Sequence, residues 1–257
     1  MCYFRAMTSQ PVTHDADSPA AAAIGLLARQ GFDATSVEEL AEAAGMSRST
    51  FFRKFGSKED VVFADHERIL AQVTGRLAES RQDPLAAVED AALLVFEHHL
   101  RHRETSRARY ELMQAVPSLR DRELVTSHRY ERAFLVHLLD RLPAAASAAA
   151  GTGDQLAGAD HREHTAVAYA AAVVAVHNAF LRQWLRSPAT EETRQQENAD
   201  TGRVGELAAE LRGLSALFRP ILLGTAPAAA ASTVVVTVLA GAADKDAVAR
   251  AVRDALP

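Results

Sequence analysis

The chain has 257 residues, of which 48% are hydrophobic, and this is enough to build the core of one or two domains. It contains 53 alanines and 25 arginines, residue types that favour helices, so an all-β fold is disfavoured. The single cysteine, Cys2, excludes an internal disulfide and a cysteine-based zinc site. We find no strongly apolar run of about 18 residues and no signal-peptide pattern, and therefore expect a cytoplasmic protein with no membrane partner.

Three short helices are predicted near the N-terminus, each between a serine cap and a glycine stop. Phe51 and Phe55 in the third lie four residues apart and are expected to face inward. Thr35 precedes the cap of the second helix, and a proline at position 19 opens the first. The expected caps are Ser18, Ser36 and Ser47, and the expected stops are Gly31, Gly45 and Gly56.

Downstream, the apolar pattern predicts more helices and hence an all-α body. A longer helix opens at a capping box at residues 57–60 and continues to about Glu79. Further helices are expected at about 84–102, 105–115, 118–141, 161–186 and 204–222. Residues 143–160 and 187–202 are predicted to be mobile linkers. In the last 33 residues, 233–239 favours a strand and 244–256 a helix.

The second and third helices meet at a glycine, and polar and basic residues begin the second of the pair. This is the pattern of a helix-turn-helix that places a recognition helix in a DNA major groove. Residues 45–58 contain four basic residues and no acidic one, although residues 20–75 hold six basic and eight acidic residues, a net charge of −2. The overall formal charge is −5, so positive charge is concentrated in this one segment, as a phosphate-contacting edge requires.

The stretch GFDATSVEELAEAAGMSRSTFFRKFGSKEDVV resembles the DNA-binding domain of the TetR family of transcriptional repressors. The resemblance covers about residues 20–70, from the Gly-Phe that ends the first helix to the Phe-Gly-Ser-Lys-Glu that opens the fourth. The rest of the chain fits the family in architecture only. The resemblance implies a disordered arm at 1–17, a DNA-binding domain at 18–64, a helical effector-binding and dimerisation domain at 65–224, and a C-terminal extension at 225–257.

The resemblance also implies the positions that contact DNA. At the start of the second helix, Thr35 and Ser36 are expected to contact a phosphate in addition to capping the helix. Arg48, Ser49 and Thr50 occupy the positions at which the family reads base edges, and Arg53, Lys54 and Lys58 are assigned to phosphates. Two departures stand out. Phe52 replaces the usual tyrosine and so lacks one hydroxyl hydrogen bond, and the arm carries acidic residues at 15 and 17 where many relatives are basic.

A ligand-responsive repressor needs an effector pocket, and polar residues on apolar helical faces are the candidates. Ordinary hydrogen bonding in the core is the alternative explanation for them. A group of arginines at 101, 103, 107 and 109 could attract an acidic effector, or could be a solvated face. His98 and His102 share a helix face, but no further ligand joins them, so no metal and no cofactor is expected. The candidate pocket residues are Phe96, His99, Tyr110, Met113, Tyr130, Phe134, His137 and His177.

The last two regular helices carry long apolar stripes, and two helices per subunit could form a four-helix interface across a two-fold axis. The family is usually assembled in this way. The expected interface residues are Ala170, Val173, Trp184, Leu207, Leu211, Leu214 and Phe218.

Together these observations predict a ligand-responsive, DNA-binding homodimer that recognises an inverted-repeat operator in double-stranded DNA and responds to a small molecule of unknown identity. Two other classes of protein are considered. One is a helical interaction module whose helix-turn-helix no longer binds DNA, which the acidic arm and Phe52 make conceivable. The other is an enzyme, against which stands the lack of a nucleophile elbow, P-loop or dinucleotide fingerprint.

Overall fold

A computed structural model describes residues 18–142, 152–187 and 193–223, with side chains described outside 152–160 and 193–197. Every regular element in these ranges is a helix, which confirms the all-α prediction. The arm at 1–17 and the C-terminal extension, with its expected strand and helix, lie outside them. The ten helices are α1 (Pro19–Gln30), α2 (Val37–Ala43), α3 (Arg48–Phe55), α4 (Lys58–Val62), α5 (Ala64–Glu79), α6 (Pro84–Arg101), α7 (Arg103–Ala115), α8 (Pro117–Arg141), α9 (Thr152–Arg186) and α10 (Thr193–Leu223).

The start and stop signals of the first three helices act as predicted. Ser36 and Glu39 form a reciprocal capping box at the start of α2, and Ser47 accepts a hydrogen bond from the backbone of Thr50 at the start of α3. Gly45, between these two helices, has a φ of 66°, a left-handed conformation that residues with a side chain adopt at a cost. These local features fix the angle at which α3 leaves α2, and so determine which face of α3 is exposed.

The single long helix expected from position 57 to 79 is in fact two helices, α4 and α5, separated at Phe63. The reason lies in the apolar pattern on either side of the break. Val61, Val62 and Phe63 are consecutive and all buried, which one face of a continuous helix does not allow. They pack in the N-terminal core with α1 and α3, whereas Ile69 in α5 packs in the core of the body.

The described residues form two hydrophobic cores. The N-terminal core joins α1–α4 and is completed by Leu112 and Met113 of α7 and Leu119 of α8. The second core lies among α5, α6, α8, α9 and α10. Because α7 and the start of α8 contribute to the N-terminal core, the helix-turn-helix and the body share packed side chains.

The two long helices begin earlier than predicted. α9 starts at Thr152 and α10 at Thr193, so parts of both expected linkers are helical, while 143–151 and 188–192 lie outside the described ranges. The prediction relied on large apolar residues, and these segments have few. In α10, Asp200 instead supplies a polar attachment, because Arg103 of α7 donates a hydrogen bond to its carboxylate at 2.7 Å.

The segment His161–Arg186 of α9 is long and apolar enough to cross a bilayer when judged by length and composition alone. Its buried side chains pack inside the body, where Tyr169 and Trp184 are almost fully enclosed and the Tyr169 hydroxyl lies 2.7 Å from that of Ser215 in α10. The buried part of this apolar segment therefore belongs to the core of the body.

Candidate nucleic-acid interface and effector cavity

α3 has one buried and one exposed face. Phe51 and Phe55 face the N-terminal core, as predicted, with ring centroids 5.0 Å apart in an edge-on arrangement. The opposite face presents Phe52, Arg53 and Lys54 to solvent, and Phe52 is 42% exposed. The aromatic anchors thus fix the rotation of a short helix that could not form alone.

Arg48 begins the exposed face and is oriented by two neighbours. Its Nε lies 3.0 Å from the Oε1 of Glu38 on α2, and its guanidinium lies 5.5 Å from the centroid of the Phe52 ring. Both members of the ion pair are more than half exposed, so the pair contributes little to stability. Arg48 can therefore exchange Glu38 for another partner. The exposed Phe52 ring thus lies beside the Arg48 guanidinium, and its contact with DNA stays a prediction.

Arg53 and Lys54 are exposed and form no ion pair with any residue in the described ranges. The Lys54 ammonium lies 5.4 Å from the centroid of the Phe55 ring, which places its stem along the edge of the helix. No acidic residue lies within α3 itself. On the exposed face of α3, these two cations are available to an anionic partner.

Lys58 and Thr35, both predicted to contact phosphates, have side chains that bond to the connection between α1 and α2. Lys58 donates hydrogen bonds to the carbonyls of Phe32 at 2.5 Å and Thr35 at 3.1 Å, and its ammonium lies 4.5 Å from the Phe32 ring centroid. Thr35 is 2% exposed, and its hydroxyl donates to the carbonyl of Gly31 at 2.7 Å. Both side chains stabilise the connection between α1 and α2, because they donate hydrogen bonds to backbone carbonyls in it.

The other polar candidates lie at the helix starts. Ser36 is exposed, and its hydroxyl donates to Glu39 at 2.6 Å as part of the capping box. Ser49 is exposed and Thr50 half-buried, and each has its hydroxyl 3.0 Å from that of Ser47. Their contact with base edges stays a prediction.

A small cavity of about 60 Å³ lies among α5, α6, α8 and α9. Of the eight predicted pocket residues, the structure brings four into its wall: His99, Tyr130, Phe134 and His177. Among the polar wall residues that were missed as candidates are His66, Glu123, Thr126 and Ser127. The apolar periodicity did not identify His66, because it predicted one continuous helix across Phe63. The break at Phe63 changes the direction of α5, and this brings His66 to the cavity.

The other four predicted pocket residues do not line the cavity. Phe96 lies behind it, with its ring edge-on to that of His177 at 6.0 Å between centroids. The Tyr110 hydroxyl accepts a hydrogen bond from Arg186, and Met113 belongs to the N-terminal core. His137 is buried on α8 but absent from the wall, so helical spacing alone overestimated the pocket.

The histidines of the cavity wall are neutral at physiological pH. Burial lowers the pKa of His66 and of His177 to about 4, and it holds the pKa of His99 well below the ordinary value. Burial also raises the pKa of Tyr130, which keeps that phenol protonated. Across the described ranges, no group of three or more His, Cys, Asp or Glu side chains is placed to hold a metal ion.

A buried ionic contact joins the cavity wall to the helix-turn-helix. Arg109 of α7 is 3% exposed and donates to the carbonyl of Val62 at 2.7 Å and to the carboxylate of Asp65 at 2.5 Å. Burial alone would raise the pKa of Asp65, but the Arg109 guanidinium holds it well below the ordinary value. Since His66 follows Asp65 in α5, the cavity wall and this contact share one turn of backbone.

Two of the four arginines considered for an acidic effector, Arg101 and Arg103, line one open cavity of about 800 Å³ together with Arg29 of α1. Arg109 is bound as described, and Arg101 donates to the carbonyl of Glu97 in its own helix. Arg103 pairs with Asp200, while Arg107 donates to the carbonyls at 185 and 187 and lies 5.4 Å from the ring centroid of Trp184. An acidic effector beside Arg101 and Arg103 therefore stays a prediction, whereas Arg107 and Arg109 are directed to internal partners.

The residues expected at the dimer interface lie in the core of the subunit itself. Ala170, Val173, Trp184, Leu207 and Leu211 are at most 1% exposed, and Leu214 and Phe218 are half-buried against the same core. The apolar stripes of α9 and α10 pack against each other and against α6 and α8. They are therefore not free to form an intersubunit surface, and any such surface must use the other faces of these helices.

The N-terminal geometry is that of a DNA-binding helix-turn-helix domain. Residues 20–64 match the model of the family described as bacterial regulatory proteins, tetR family. The chain is 39% identical over 92 residues to a Mycobacterium tuberculosis protein named as a mycofactocin biosynthesis transcriptional regulator, MftR. That match covers 33% of this chain and 46% of the relative, so the chain spans about half the length of the curated relative it matches.

Solved structures that align with the chain include a bacterial repressor and a TetR family transcriptional regulator. NalD of Pseudomonas aeruginosa, named as the secondary repressor of the MexAB-OprM multidrug efflux pump, is 17% identical with a TM-score of 0.46, over 81% of this chain and 96% of NalD. PfmR of Thermus thermophilus is 18% identical with a TM-score of 0.40, over 79% of this chain and 96% of PfmR. The match to the TetR family is confined to the N-terminal domain, at residues 20–64.

Proposed function

We propose that the protein is a transcriptional regulator that binds an inverted-repeat operator as a homodimer and changes its affinity when a small molecule enters the cavity. The observation that carries the proposal is the exposed face of α3, where Arg53 and Lys54 have no acidic partner among the described residues. Each of these cations can neutralise a phosphate, and Arg48 can exchange Glu38 for a base edge. As a regulator of bacterial genes, such a protein works in the cytoplasm.

The unused faces of α9 and α10 support the dimer. Opposite the core, both helices present small residues, and a Cβ added at Gly205 or Gly213 would meet no atom within 4 Å. Leu217 flanks this surface and is 74% exposed. Small residues permit close approach of helices from a second copy. We define the small-residue face as Ala168, Ala171, Ala175, Ala179, Gly202, Gly205, Ala209, Gly213 and Ala216.

The contact at Arg109 supports coupling between cavity and DNA. At about 60 Å³, the cavity is well below the roughly 300 Å³ or more of typical ligand pockets, so an effector must displace its walls. Displacement of His66 acts on the backbone of α5 next to Asp65, and Asp65 and Val62 share Arg109 as their partner. An effector that binds the displaced state more tightly would then shift the position of the helix-turn-helix.

Selection of bound fragments from the source genome tests this proposal. We expect enriched fragments to share an inverted repeat with half-sites about 34–36 Å apart, the spacing of successive major grooves. Enrichment of single half-sites would contradict the dimer. Failure to enrich any fragment at low ionic strength would contradict DNA binding and favour an interaction module with an altered helix-turn-helix.

A further inference from the structure

One atom in the cavity wall has an unmet hydrogen-bonding requirement. His177 is 7% exposed, and its Nδ1 lies 3.2 Å from Oδ1 of Asn178. The amide nitrogen of Asn178 donates to the Ser127 hydroxyl at 3.3 Å, which leaves Oδ1 as the acceptor and assigns the imidazole proton to Nδ1. The Nε2 of His177 therefore carries a lone pair, and it has no partner among the described residues.

A second wall histidine has the same tautomer. The Ser106 hydroxyl donates to the carbonyl of His99 at 3.3 Å, so its oxygen accepts a hydrogen bond from Nδ1 of His99 at 3.1 Å. The Nε2 of His99 is then also an acceptor. The rings of His99 and His177 lie 6.4 Å apart between centroids, so two neighbouring imidazoles of the wall offer lone pairs.

The wall carries little free charge. It contains no lysine or arginine, and its only acidic residue, Glu123, accepts a hydrogen bond from Arg182 at 3.4 Å. Burial keeps the histidines neutral, as their lowered pKa values indicate. A charged ligand would lose its hydration here without gaining an opposite charge, which is unfavourable.

The rest of the wall suits an aromatic ring. Tyr130 and Phe134 of α8 supply aromatic surface, and Val174 and Leu181 of α9 supply aliphatic surface. The volume of about 60 Å³ corresponds to roughly two water molecules, and Nε2 of His177 is itself fully buried, so both the hydroxyl and the ring of a ligand require the walls to move.

We propose that the cavity binds an uncharged phenol, whose hydroxyl donates a hydrogen bond to Nε2 of His177. The inference rests on the proposed function, because it gives the chemical class of effector for that regulator. A hydroxyl donor satisfies the unpartnered nitrogen, and the aromatic ring contacts Tyr130 and Phe134. The same insertion provides the wall displacement that the coupling at Arg109 requires.

Four benzene derivatives of similar size test the proposal: phenol, toluene, benzoate and benzylammonium. Each is titrated at pH 7 into the full chain without DNA, and binding is measured by ¹H–¹⁵N NMR, including the histidine ring nitrogens. We expect phenol to bind about fivefold to tenfold more tightly than toluene, the effect of one neutral hydrogen bond, and the two ions to bind more weakly still. The ¹⁵N signal of Nε2 in His177 should shift with phenol only.

His177→Phe keeps a ring and removes the acceptor, so phenol should lose its advantage over toluene. His137→Phe is the matched control, because His137 is also buried with an unpartnered Nε2 but lies outside the cavity wall. It should retain the preference for phenol. If His177→Phe does not fold, the order of the four compounds on the unmodified chain still decides the matter.

Equal binding of phenol and an ion would overturn the inference, and so would binding of none of the four to a folded protein that still selects DNA. The second result would leave the proposed DNA-binding function intact. Conversely, a clear phenol preference in a protein that selects no genomic fragment would support the cavity chemistry and contradict the regulatory function.

Discussion

Substitution of Arg109 by methionine tests the buried contact between the body and the helix-turn-helix. The change keeps the apolar stem but removes hydrogen bonds to Val62 and Asp65, and it leaves the Asp65 carboxylate, only 17% exposed, without its cation. Breaking a buried pair by removing one partner costs about 3–5 kcal/mol of stability. We expect a loss of that size in urea unfolding followed by circular dichroism. A matched control is Arg122→Met, since Arg122 also pairs with the N-terminal domain, at Asp60, but is half exposed and should contribute less than about 1 kcal/mol.

The double variant Arg109→Met/Asp65→Asn separates a lost charge from lost packing. Without the carboxylate, no uncompensated charge stays buried, so the double variant should regain about 2 kcal/mol relative to Arg109→Met alone. A loss in Arg109→Met no larger than in the Arg122 control, or additivity of the two changes, would refute the argument that an ion pair holds this junction.

Three further expectations concern DNA specificity, assembly and pH. Arg48→Ala should relax the preference at one operator position by about 1–3 kcal/mol, and an unchanged base-preference profile in binding-site selection would refute the assignment of Arg48. Leu217→Glu should yield monomers in analytical ultracentrifugation, whereas Leu124→Glu, at a residue 66% exposed on α8, should not; a dimer in both would contradict the proposed interface. Lowering the pH from 7 to 5 should reduce the free energy of unfolding by about 2 kcal/mol for each of His66 and His177. Burial lowers the pKa of each histidine to about 4 in the folded chain. Over this pH range the unfolded chain therefore takes up protons that the folded chain does not. Urea unfolding at both pH values measures this loss, and equal stability would contradict neutral burial of these histidines.

The helix-turn-helix was predictable from sequence because its signals are local. Serine caps, a left-handed Gly45 and two phenylalanines four residues apart act within a few residues of one another, and the structure has each of them in place. Lys58 shows the limit of such reasoning. It lies in the cationic segment, but its ammonium donates to carbonyls 26 and 23 residues earlier in the chain, which no local pattern reveals.

The body was less predictable, because its helices have more than one apolar face to assign. The stripe containing Trp184 and Leu211 fits a subunit core and an intersubunit surface equally well from spacing alone, and packing against α6 and α8 decides for the core. Four of the eight predicted pocket residues line the cavity, because spacing alone does not show which apolar faces meet. His99 and His177 stand out as polar residues in apolar faces, whereas His66 enters the wall only because the chain bends at Phe63.

We expect the exposed cations of α3 to bind the phosphates of duplex DNA. The most direct test measures the affinity for a selected operator fragment as a function of salt concentration, for the unmodified chain and for Arg53→Ala/Lys54→Ala. Each lost phosphate contact should reduce the slope of log K against log salt by about 0.9, so a dimer losing four contacts should lose between about 3 and 4. An unchanged slope in the double variant would contradict the claim.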